Sequence, residues 1–117
     1  MNKKVVFISL PMSGIPDDIV RASIEQAKGV YLSITNLDIS QVVFVDTMNN
    51  PDPPEYVKDD QKGVWYLGHS LTHLAKCDEA FFWFGWRKAR GCQVEHDVCV
   101  TYGIPMTVVD HYAEENA

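Results

Sequence analysis

Three cysteines in 117 residues, odd in number and without a pairing pattern, provide no disulfide framework. Cys77, Cys92 and Cys99 instead fit a reducing, cytoplasmic compartment. Long hydrophobic runs are also lacking. VVFISL at 5–10 stops at Pro11 and is too short for a membrane span or a secretion signal, so no membrane partner is expected. Basic residues are scarce: 10 Lys and Arg stand against 16 Asp and Glu, for a formal net charge of −6. A long nucleic acid held through its phosphates needs a basic surface, so that partner class is excluded. A single nucleotide needs only a few local donors and stays open. There is no internal repeat and no low-complexity tract.

What the chain does have is enough apolar residue for one domain. The content is 46% hydrophobic and 22% charged, ordinary for a folded protein. A chain of this size buries roughly two-thirds of its unfolded surface, so neither a disulfide nor a metal is needed for folding. β-rich runs predict strands at 5–10 (VVFISL), 41–45 (QVVFV), 79–84 (EAFFWF) and 104–110 (IPMTVVD). Helical spacing predicts helices over 18–35, 64–77 and 91–103. The first carries Ile19, Ala22, Ile24, Ala27, Val30, Tyr31 and Ile34, with Asp17 or Asp18 as its cap. Gly103 ends the last. Strands alternating with helices predict a mainly parallel sheet of four to five strands. The domain is expected to span 1–110, followed by a tail at 111–117 that holds Glu114 and Glu115.

Segment 81–103, FFWFGWRKARGCQVEHDVCVTYG, is the most informative stretch. An aromatic strand runs through a glycine-containing loop into a helix, with Glu95 a turn inside it. Small ligands of α/β proteins bind at the carboxyl ends of strands, where a carboxylate can attack a sugar carbon or hold a polar group. Spacing alone also admits Glu95 as an exposed glutamate near a helix N-terminus. SLPMSG at 9–14 offers free backbone N–H groups to a phosphate or sugar hydroxyl, or is an ordinary strand-to-helix turn. Arg87, Lys88 and Arg90 either neutralise a phosphate or form a solvated loop. Asp46–Asn50 either reads a base edge or is a solvated turn. His69 and His73, like Cys92 and His96, stand four apart, but neither pair has a third ligand at telling spacing. No metal or cofactor is expected. Trp65, Tyr66 and Trp83 are core by default, as are Cys92 and Cys99. Trp86, in the loop after the third strand, is placed to stack on a base.

The segments SLPMSG at 9–14, LTHLAKCDEAFFWF at 71–84 and GWRKARGCQVE at 85–95 together resemble the nucleoside 2-deoxyribosyltransferase superfamily. The likeness is greatest to a small bacterial and phage subfamily and reaches Val109. It implies a flavodoxin-like (Rossmann-like) three-layer α/β sandwich. It implies that Glu95 attacks the anomeric carbon of a 2-deoxyribonucleoside or its 5′-monophosphate, after which a second base or water resolves the glycosyl-enzyme. The substrate-binding set that follows is Phe7, Ser9, Pro11, Ser13, Gly14, Ser70, Trp86, Ala89 and Gly91. A homodimer or larger homo-oligomer would be expected, because a neighbouring subunit often completes such sites.

Three positions depart from the family pattern. Ser70 stands where many members have an aspartate, Ala89 where they have serine or aspartate, and Phe7 where the larger transferases have a tyrosine. Each replacement removes a group able to position the glutamate, bind the sugar or protonate the base. His69, beside Ser70, is a candidate acid–base substitute or a plain helix-surface residue. Three readings follow: a deoxynucleoside or deoxynucleotide glycosidase or transferase, a non-catalytic nucleotide-binding module with a degenerate site, and a structural oligomer with a vestigial crevice.

Overall fold

The computed structural model describes residues 2–109; Asp110 and the expected tail at 111–117 lie outside the described residues. Four strands, β1 (Lys4–Ser9), β2 (Val42–Phe44), β3 (Glu79–Phe82) and β4 (Met106–Val108), form one parallel sheet in the order β2-β1-β3-β4. Three helices connect them: α1 (Asp17–Thr35), α2 (Lys62–Leu74) and α3 (Arg90–Tyr102). The parallel sheet is what the alternation of strands and helices predicts, and the whole is a flavodoxin-like three-layer sandwich.

Period-two alternation sorts the strand residues onto the two faces. Val6 and Ile8 of β1 and Phe81 of β3 pack with Val20, Ala27 and Tyr31 of α1. Phe7 of β1 and Ala80 and Phe82 of β3 pack on the other face, with Leu74 of α2 and Cys92 and Cys99 of α3. Each fully buried Phe or Leu contributes about 1.5–3 kcal/mol. Both faces are covered, which explains why β1 and β3 read as continuous apolar runs rather than alternating ones.

Several boundaries differ from the sequence reading. The stripe of α1 that packs on the sheet is Val20, Ala27 and Tyr31, all buried, with Ile24 half-buried beside them, while Ile19 and Ile34 are exposed. Val20, Ile24, Ala27 and Tyr31 share one helical face; Ile19 lies about 100° round from Val20, whereas Ile34 sits in the last turn of the helix. Pro16 is the N-cap of α1, and Asp17 and Asp18 lie in its first turn without capping it through a side chain. β3 stops at Phe82, two residues early, because the chain turns at Gly85 with φ 86°. A Cβ at Gly85 would sit 3.0 Å from Pro11 Cγ, so the loops after β1 and β3 meet there. Gly103 caps α3 in the left-handed region, as expected.

A polar cluster lies at the opposite, amino end of the strands. Glu79 accepts hydrogen bonds from Tyr31 Oη (2.6 Å) and Thr107 Oγ1 (2.7 Å) and pairs with Lys4 Nζ (2.8 Å). Burial pushes the Glu79 carboxyl up, but Lys4, Thr107 and Tyr31 outweigh it and hold the group below its ordinary value.

Candidate functional site

β1 and β3 are paired through Ser9 and Phe82 and end at the same level. Beyond that level the chain diverges: β1 leads to α1 on one face, and β3 leads to α3 on the other. Such a switch point leaves a crevice at the carboxyl ends of the strands. Here the crevice measures about 1420 Å³ and is walled by the loops after β1 and β3 and by the first turns of α2 and α3.

Glu95 projects into it from the second turn of α3 and is only 6% exposed. Ser9 Oγ donates to Glu95 Oε1 at 2.8 Å, and Ser70 Oγ donates to Oε2 at 2.9 Å. Each carboxylate oxygen thus has its own hydroxyl donor, one from β1 and one from α2. Burial pushes the Glu95 carboxyl above its ordinary value, and the two serines pull it part of the way back. A buried acid in this position excludes the reading of Glu95 as an exposed surface glutamate.

Cys92 lies one turn earlier on α3, beside Ser9 and Glu95. Burial pushes its thiol up to about 11, so it stays protonated and inert at neutral pH. The N-terminus of α3 begins at Ala89 without a side-chain cap. Gly91 opens it close to α2: a Cβ there would come 4.0 Å from Leu67 Cδ1. Lys88 and Arg90 line the crevice on this side, and Asp17 and Asp60 line it elsewhere.

Of the residues singled out from the sequence, Phe7, Ser9, Pro11, Ser13, Ser70, Ala89, Gly91 and Glu95 all line this one crevice. Gly14 and Trp86 do not. Gly14, at φ 76°, makes the turn closed by Ile15 N donating to Met12 O at 3.1 Å, a conformation that favours glycine. Trp86 is buried. Its ring stacks on His96 at 4.3 Å, contacts Phe82 at 5.4 Å and lies under the Arg87 guanidinium at 4.7 Å. It is therefore a core residue and does not reach a base in the crevice.

Two serines have roles other than those expected. Ser9 was read as a ligand donor, but it is 2% exposed and its hydroxyl holds Glu95. Ser70, read as the loss of an acid, supplies the second hydroxyl. His69 stacks on Trp65 at 5.5 Å and is not among the lining residues. Of the Asp46–Asn50 segment, Thr47, Met48 and Asn50 line the crevice, whereas Asp46 accepts from Met48 N, Asn49 N and Asn49 Nδ2 within its own turn. Tyr66, a core residue on the sequence pattern, is 38% exposed and lines the crevice. The available signal was its place four residues before Ser70, which puts both on one face of α2. Among the described residues no group of three His, Cys, Asp or Glu could hold a metal, and no helix is long and apolar enough to cross a membrane.

No protein-family model matches this chain, and no curated protein matches it.

Proposed function

We propose that this protein cleaves or transfers the N-glycosidic bond of a 2-deoxynucleoside or its 5′-monophosphate, with Glu95 as nucleophile. The observation that carries this is the buried Glu95 carboxylate, held on both oxygens by Ser9 and Ser70 in a crevice at the strand ends. The resemblance of SLPMSG and GWRKARGCQVE to the deoxyribosyltransferase motifs supports the same reading.

Breaking an N-glycosidic bond builds positive charge on the sugar ring. A fixed carboxylate stabilises that charge and then bonds to the anomeric carbon, by the logic of retaining glycosidases. The base leaves with the bonding electrons and takes its proton from solvent water. Water or a second base then attacks the same carbon and frees Glu95. The two serines orient the carboxylate so that little reorganisation is needed in the transition state. The crevice of one chain exceeds the usual 300–1,000 Å³ or so of a small-ligand site. A homodimer or larger assembly that narrows it belongs to the proposal, as does a cytoplasmic location.

One observation favours a second reading, a non-catalytic nucleotide-binding module. Both hydrogen-bond partners of Glu95 named above are hydroxyls, and neither is an acid suited to protonating a leaving base at neutral pH. The two readings separate in one assay. Purified protein is incubated with each deoxynucleoside and deoxynucleoside monophosphate, with and without an acceptor base, and free base is followed by chromatography. Release that is lost in Glu95→Gln supports the enzyme. Tight binding by calorimetry without release moves the assignment to the binding module, and neither release nor binding overturns both.

A further inference from the structure

We propose that Tyr66 recognises the nucleobase, stacking its ring on a planar heterocycle held in the crevice. This rests on the reading of the crevice as a nucleoside site and assigns the part of it that selects the leaving group. Two aromatic residues line the crevice, Phe7 and Tyr66. Phe7 is 1% exposed and Tyr66 is 38% exposed, so among the described residues Tyr66 is the aromatic of the lining that a ligand can reach. Trp86 is buried against His96 and Phe82.

The position of Tyr66 relative to the carboxylate follows from the helix. Tyr66 and Ser70 are four residues apart on α2 and share a face, and Ser70 donates to Glu95 Oε2 at 2.9 Å. Four residues of helix rise by about 6 Å. Tyr66 therefore lies within reach of a base whose sugar sits over Glu95. The Tyr66 ring also packs against a neighbouring ring. Trp65 meets it edge-on at 5.3 Å and 84°, and Trp65 in turn lies parallel to His69 at 5.5 Å. A ring already held in place loses less freedom when a ligand arrives. Met12 and Met48 also line the crevice, and thioethers make favourable contacts with aromatic rings.

The test compares a ligand that has a base with one that lacks it. Calorimetry measures binding of 2′-deoxyadenosine 5′-monophosphate and of 2-deoxyribose 5-phosphate, in a Glu95→Gln background so that nothing turns over. Tyr66→Ala is expected to weaken the nucleotide roughly tenfold or more, the loss typical of one aromatic–base stack, and to leave the sugar phosphate unchanged. Tyr66→Phe, which keeps the ring and removes the hydroxyl, is expected to retain nucleotide binding. Equal weakening of both ligands by Tyr66→Ala, or nucleotide binding that Tyr66→Ala leaves intact, overturns the assignment while the crevice reading stands. Failure of the Glu95→Gln protein with native Tyr66, and of the unaltered protein, to bind the nucleotide overturns the crevice reading itself and this assignment with it.

Discussion

Ser9 Oγ and Glu95 Oε1 are joined by a 2.8 Å hydrogen bond that ties the end of β1 to the second turn of α3 across 86 positions of sequence. The bond fixes one carboxylate oxygen, and Ser70 fixes the other. It also favours the ionised form of an acid that burial pushes toward neutrality.

Ser9→Ala removes that donor. The Glu95 carboxyl then shifts further upward, and the acid limb of the kcat/KM profile for base release moves to higher pH. Misplacement of the nucleophile lowers kcat by roughly tenfold to a hundredfold. Measured pH–rate profiles check this. A profile that keeps its shape and position in Ser9→Ala would show that Ser9 does not act through Glu95.

Glu95→Gln is expected to stabilise the fold near neutral pH. Folding raises the Glu95 pKa, so the folded state binds this proton more tightly than the unfolded state. The associated stability is fully present below the ordinary glutamate pKa and is lost as pH rises through the raised value. At pH 7 a buried carboxylate is therefore a cost that the amide avoids. Thermal melts should give Glu95→Gln a midpoint equal to or above that of the unaltered protein at pH 7, with the advantage shrinking at pH 4. A Gln variant less stable by the same margin at both pH values contradicts this.

Glu79 has the opposite sign. Its folded pKa is depressed, so its contribution is present above the ordinary glutamate pKa and is lost as pH falls through the lowered value. Glu79→Ala also leaves the buried Tyr31 hydroxyl without the carboxylate that accepts its proton. That loss should cost about 1–3 kcal/mol in urea unfolding at pH 7. The double variant with Tyr31→Phe should recover part of it, since the stranded hydroxyl is gone. Additive losses in the double variant argue against the coupling.

Gly85 and Gly103 both have positive φ, 86° and 70°, but only Gly85 faces an atom that a Cβ would strike. Alanine at either position carries the left-handed backbone penalty of about 1–2 kcal/mol. Gly85→Ala must in addition push Pro11 away and open the join between the two crevice loops. Gly85→Ala is therefore expected to lose more stability than Gly103→Ala and to impair base release, which Gly103→Ala spares. Equal effects on both measurements would remove the argument from Pro11.

Much of this was legible in the sequence because each signal was local. Continuous apolar runs marked β1 and β3, and the position of Glu95 just past a strand end pointed to the crevice. The direction of Ser9 was less visible. It follows from strand alternation that puts it with Phe7 on the α2/α3 face, but only once that face is known to carry Glu95. Trp86 was misread because its place in a loop after a strand says nothing about burial. The short turn Trp86–Lys88 directs the indole back onto His96 of α3. Tyr66 was overlooked for the converse reason: an aromatic on an amphipathic helix reads as core, and only the third dimension shows that this part of α2 borders open space.

A covalent bond between Glu95 and the sugar can be trapped. A deoxynucleoside carrying a 2′-fluorine destabilises the positively charged transition states on either side of a glycosyl-enzyme, which slows its breakdown. The protein is mixed with such a compound, quenched in acid and analysed by intact and peptide mass spectrometry. One added fluorodeoxyribosyl group is expected, located on Glu95 and absent from Glu95→Gln. An adduct on another residue, or base release that persists undiminished in Glu95→Gln, would contradict Glu95 as the nucleophile.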